Sequence, residues 1–160
     1  MKADYFSTDI QEFLQLLHQY DVQYMIVGGE AVIYYGYPRL TGDIDIFYKN
    51  SSKNIHALYE ALNEFWDGDI PGIQDEKELG TPGHVIQFGV PPNRIDLLNN
   101  IEAVAFEDAW KSKKVEPVQI SDTSTPLYII GLQHLVKNKQ ATGRAKDRDD
   151  LEFLEKLLSD

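Results

Sequence analysis

The chain has no cysteine, so neither a disulfide framework nor a thiolate metal site is open to it. It is also short of cations: 15 Lys and Arg against 26 Asp and Glu leave a formal charge of −11. A broad nucleic-acid surface has a basic footprint, so a small molecule or a protein is favoured over long RNA as a partner. No apolar run approaches the ~20 residues of a membrane span, and the Lys2-Ala3-Asp4 start is not a secretory signal. A cytoplasmic location with no membrane partner is the expectation. The four histidines include no i, i+4 pair, which removes the usual helical metal motif, and His84, ahead of a strand, reads as structural. Repeats, low-complexity tracts and clean linkers are missing too. The 160 residues therefore predict a single domain, 1–160, long enough for a sizeable core.

What is present begins with Val22-Gln23-Tyr24-Met25-Ile26-Val27, a short apolar run that ends abruptly on Gly28-Gly29. Glycines after a strand let the chain turn tightly and let a phosphate or another backbone come close. Residues 30–35 then supply about two helical turns, stopped by Gly36 and Pro38. A helix that opens on glycines points free N–H groups at whatever sits in the turn, which suits a triphosphate.

Thr41-Gly42-Asp43-Ile44-Asp45-Ile46-Phe47-Tyr48 alternates polar and apolar residues, as a strand with one buried face does. Side chains at i and i+2 share a face, so Asp43 and Asp45 stand about 7 Å apart along it. Two such carboxylates repel, and Asp forms strands poorly. A divalent cation removes both objections, and hard oxygen ligands select magnesium or manganese. A third acid lies in Asn93-Arg94-Ile95-Asp96-Leu97-Leu98, a strand paired through the Pro91-Pro92 turn with residues 84–90. Beside the first strand, Asp96 would complete a three-carboxylate site able to hold two ions roughly 4 Å apart.

The rest reads as scaffold. Ser7 or Thr8 caps a helix to about residue 20 with Ile10, Phe13, Leu14 and Leu17 on one face. Ser51 or Ser52 caps another to about 65, striped by Ile55, Leu58, Leu62 and Phe65. Residues 67–82, rich in Gly, Pro and acids, read as a long loop, either a lid or acceptor wall or simply solvated. A short helix near 101–110 precedes an edge strand at 115–120, where Pro117 cannot donate to a ladder, and a last strand at 125–130. Two helices follow, about 131–142 and 146–159, turning at Gly143-Arg144, with Leu151, Leu154, Leu157 and Leu158 facing inward. The fold class is α/β: a mixed sheet of about four to six strands flanked by helices. Residues of about 1–100 form its core, and about 101–160 add C-terminal strands and a helical hairpin.

Gly28, Gly29, Asp43, Asp45 and Asp96 resemble, in order and spacing, the signature of the nucleotidyltransferase superfamily with a DNA polymerase beta type of palm. Within it, Val27-Gly28-Gly29-Glu30-Ala31 and Gly36-Tyr37-Pro38-Arg39-Leu40-Thr41-Gly42-Asp43-Ile44-Asp45 look most similar to small bacterial members near the AbiEii-like toxins and the lincosamide nucleotidyltransferases. The stretch from Lys137 through Gly143-Arg144 to Leu151 is similar to a segment of the AbiEii-like branch whose Lys and Arg serve the nucleotide phosphates. A cationic cluster in so acidic a chain independently points to an anionic ligand. Lys146 and Arg148 read as an ordinary helix start.

The resemblance implies magnesium- or manganese-dependent transfer of an NMP from an NTP to the hydroxyl of a small-molecule, protein or RNA acceptor. Asp43, Asp45 and Asp96 would be the metal ligands and catalytic acids. Gly28, Gly29, Arg39, Thr41, Lys137 and Arg144 would hold the nucleotide. Two features depart from the pattern: Gly29 lacks the hydroxyl of the more common Ser, and Glu30 puts a negative charge beside the phosphate turn. Two alternatives stay open: a noncatalytic, nucleotide-binding or regulatory partner of toxin–antitoxin type, and a metal-dependent phosphohydrolase. In the first the chain would act through a partner protein.

Overall fold

Residues 2–160 are described in a computed structural model of the protein. Ser7 accepts the Ile10 N–H at 3.3 Å and starts α1 (Thr8–Gln19), whose Ile10, Phe13, Leu14 and Leu17 are buried at the expected helical spacing. The chain then enters β1 (Tyr24–Val27), buried along its whole length, and passes without a loop into α2 (Gly28–Tyr34). β2 (Asp43–Tyr48) follows, and Ser51 caps α3 (Ser52–Phe65) through the Asn54 N–H. A hairpin of β3 (Val85–Phe88) and β4 (Arg94–Leu98) comes next, then α4 (Phe106–Lys111), β5 (Lys114–Ile120), β6 (Thr123–Ile129) and the helical pair α5 (Leu132–Thr142) and α6 (Ala145–Ser159).

The six strands form one mixed open sheet in the order β3-β4-β2-β1-β6-β5, with six α-helices about it. β2 runs parallel to β4 and β1 parallel to β6, while the remaining neighbours are antiparallel. Alternation along β2 divides its two faces. Ile44, Ile46 and Tyr48 are buried on one side, where the Tyr48 hydroxyl donates to the Leu79 carbonyl at 2.6 Å. Asp43, Asp45 and Phe47 lie on the other, and Phe47 meets Phe106 of α4 edge-on, 5.2 Å between ring centres.

Three expectations change. Residues 67–82 are a largely exposed loop pinned to the core rather than a wholly solvated one. Ile70, Ile73 and Leu79 are buried, and a 3-10 turn at Glu76–Gly80 is fastened by an Asp75/Glu78 capping box. The helix expected at about 101–110 is confined to Phe106–Lys111, because Ile101 and Val104 form a β-bridge. The edge strand and last strand are found as expected: β5, which carries Pro117, forms the edge, and β6 lies between it and β1. Of the four leucines on α6 only Leu154 is fully buried, while Leu158 is 42% exposed.

Candidate active site

The register of β2 on β4 sets the site. Asp45 lies opposite Asp96 and Asp43 opposite Arg94, so the two strands present three carboxylates and one guanidinium on a single face. Asp43, Asp45 and Asp96 each offer an oxygen within 4.8 Å of the other two. Burial, then the adjacent charges of Asp43 and Asp96, push the Asp45 carboxyl up to about 7, against a smaller downward pull from Lys139. An acid held that high is short of positive charge. All three donors are hard carboxylate oxygens, so the residues present fit magnesium or manganese.

The glycine turn is built against these acids. Gly28 opens α2 at φ +64°, and a Cβ there would overlap the Asp45 carboxylate, so both backbone and space demand glycine. A Cβ at residue 29 would sit 2.8 Å from Thr41 Oγ1 and 3.0 Å from Arg39 Nη2. The room a larger residue would take is therefore filled by a hydroxyl and a guanidinium from the following loop. Thr41 Oγ1 in turn donates to Asp43 Oδ1 at 3.1 Å. Glu30 does not crowd the turn: it accepts the Tyr5 hydroxyl at 2.9 Å and lines a separate recess with Ile33 and Tyr34.

The opposite wall is the corner between α5 and α6, where Gly143 adopts φ +61°. Lys139, only 2% exposed, sits between Asp147 at 2.9 Å and Asp150 at 3.1 Å. Arg39 forks Asp150, Nε to Oδ1 at 2.8 Å and Nη2 to Oδ2 at 3.0 Å, tying the loop after α2 to α6. Arg144 Nε and Thr142 Oγ1 each donate to Asp147 Oδ2 at 2.8 Å. Burial alone would raise the Asp147 carboxyl, but the bonds from Arg144, Lys139 and Thr142 outweigh it and hold it well below the usual carboxylate range.

Floor and wall enclose a cavity of about 780 Å³. Asp43, Asp45, Asp96, Gly28, Gly29, Arg39, Thr41 and Arg144 all line it. Lys137 does not. It is exposed on the outer side of α5, whereas Lys139 shares the inner face with Leu135 and Val136, four and three residues earlier, and reaches the cavity. Lys146, read as ordinary, also lines it; Arg148 does not. Sequence reasoning gave no role to Arg94, whose Nη2 donates to Asp43 Oδ2 at 2.7 Å and whose Nε donates to Asp96 Oδ1 at 2.9 Å. Its signal was the i, i+2 spacing from Asp96, the same rule that paired Asp43 with Asp45. The tyrosines after the glycine turn are spent elsewhere: Tyr37 stacks on Phe153, and the Tyr35 hydroxyl donates to the Ile130 carbonyl.

A family model described as a nucleotidyltransferase of unknown function (DUF6036) matches residues 6–159. No curated protein matches the chain. No helix among the described residues is long and apolar enough to cross a membrane.

Proposed function

The chain belongs to the DUF6036 family of nucleotidyltransferases of unknown function, and from that membership we propose that it moves an NMP from an NTP to a hydroxyl group in a magnesium- or manganese-dependent reaction. The observation that carries this reading is the meeting of three carboxylates, within 4.8 Å of one another, with a glycine turn and a cationic wall around one cavity. Phosphates would lie against Gly28 and Gly29, contacted by Arg39, Thr41, Lys139 and Arg144. Lys139 takes the part expected of Lys137, since two of its three N–H groups are held by Asp147 and Asp150 and the third remains for a ligand.

Magnesium or manganese, when bound, would be held chiefly by Asp43 and Asp45, with Asp96 beside them, and would neutralise charge building on the phosphates. Asp96 would take the proton of the acceptor hydroxyl, using a lone pair of Oδ1 that Arg94 leaves free. The hydroxyl oxygen forms a bond to the α-phosphorus as the bond between that phosphorus and the bridging oxygen to the β-phosphate breaks, and pyrophosphate departs. The acceptor is a small molecule or a protein in preference to long RNA, given the charge of −11. The sequence resemblance to AbiEii-like and lincosamide nucleotidyltransferases suggests comparable chemistry, and a cytoplasmic setting, rich in NTP and magnesium, goes with the reading.

Pyrophosphate release over a panel of NTPs and hydroxyl acceptors tests the proposal. Magnesium-dependent release is expected, falling on the order of a thousandfold in Asp45→Asn with the fold intact. Full activity in that variant sinks the assignment. NTP binding without release would favour the noncatalytic partner, and phosphoester hydrolysis by water alone the phosphohydrolase.

A further inference from the structure

We propose that Arg94 is a positioning residue that stands in for a second divalent ion, so that this site binds one metal rather than two. The inference rests on the metal reading of the three carboxylates given above. Its starting point is how unequally their oxygens are used. Asp96 is gripped on both oxygens by Arg94, Nε to Oδ1 at 2.9 Å and Nη2 to Oδ2 at 3.1 Å, and Gln87 adds a bond to Oδ2 at 3.3 Å. Asp45 accepts from no nitrogen donor among the described residues and bonds instead to the Asp96 carboxyl. Asp43 lies between these extremes, with Thr41 on one oxygen and the Arg94 Nη2 on the other.

An incoming cation therefore meets an open end at Asp45 and a closed end at Asp96. At the open end it displaces the Arg94 contact to Asp43 and the bond between the Asp45 and Asp96 carboxyls, and it removes the repulsion among those acids. The two bonds of the guanidinium fork to Asp96 do not depend on that contact, so Arg94 keeps its place. At the closed end a second cation would have to share oxygens with a fixed positive charge and sit directly against it. Arg cannot relieve that repulsion by losing a proton. Charge balance points the same way: one divalent ion and one guanidinium neutralise three carboxylates. Lys139 adds only the smallest of the influences on Asp45, its ammonium group being held by Asp147 and Asp150. In this arrangement the fork aims Asp96 and supplies positive charge where the acceptor oxygen would approach, a task otherwise left to a second ion.

Manganese alone is the probe, counted by electron paramagnetic resonance and calorimetry on the full chain, with no turnover required. One Mn2+ per chain is expected for the natural sequence. Arg94→Gln, which removes the charge, is expected to bind two, and the second to disappear in Arg94→Gln/Asp96→Asn. Should Arg94→Gln not fold, Asp96→Asn alone decides the matter: it is expected to keep one Mn2+ with affinity changed less than tenfold, because the ion sits at Asp43 and Asp45. Two ions of similar affinity in the natural sequence overturn the inference while leaving the nucleotidyltransferase reading standing. No ion in any variant overturns both.

Discussion

Aspartate does opposite work on the two sides of the cavity. On the floor, Asp43, Asp45 and Asp96 crowd within 4.8 Å with only Arg94 paired to them, and the Asp45 carboxyl is pushed up to about 7. At the hairpin corner, Asp147 and Asp150 are each held by two cationic side chains, and Asp147 lies far below the usual range. The floor lacks positive charge and so invites a cation. The corner has consumed its negative charge in aiming Arg39, Lys139 and Arg144, and so presents cations to an anion. The same residue type is thus left open or made a strut according to how many donors reach it.

The contrast breaks most visibly at Lys139. Lys139→Met leaves Asp147 and Asp150 buried with part of their compensation gone, which is expected to cost about 3–5 kcal/mol. In a thermal melt that reads as a loss on the order of 10 °C. A change within a degree or two would show the corner to be solvated rather than strut-like.

A smaller effect, of opposite sign, is expected on the floor of the metal-free protein. The folded Asp45 carboxyl titrates near 7 instead of at its ordinary 3.8, so the unfolded chain loses that proton first as pH rises, and stability drains between those values. Asp45→Asn mimics the protonated form. It should leave the melting temperature almost unchanged near pH 4 and raise it by about 5 °C at pH 8, a gain of roughly 2 kcal/mol. Asp147 runs the other way: its contribution is complete above the ordinary carboxylate pKa and fades as pH falls below about 4. The least effect belongs to Lys137→Ala. Nucleotide affinity should move less than about twofold, against about tenfold for Arg144→Ala, since only Arg144 lines the cavity. Equal losses in the two variants would return Lys137 to the site.

The carboxylate floor was legible because two short rules, strand alternation and i, i+2 spacing, specify it locally. The helices were legible for a similar reason, since Ser7 and Ser51 are caps and the apolar stripes repeat at helical spacing. What escaped depends on phase or on distant partners. Lys139 against Lys137 is a question of which side of α5 faces inward, and the two differ by about half a helical turn. Arg94 stood in plain view, but a cation beside three acids gains a role only once β2 and β4 are known to pair in parallel with Asp43 opposite it. Residues 67–82 hid a buried segment because Ile70, Ile73 and Leu79 are too sparse among Gly, Pro and acids to register as a pattern. Glu30 was unreadable without Tyr5, which is 25 residues away.

The hairpin corner also has a bearing on how the protein comes into being. The carboxylates and the glycine turn all precede residue 97, whereas Lys139 and Arg144 emerge from the ribosome later, after β6 has been made and can dock against β1. A nascent chain would thus own its three carboxylates before it owns its cationic wall. Arg94, made between Asp43 and Asp96, is already there to shield those acids while the wall is missing.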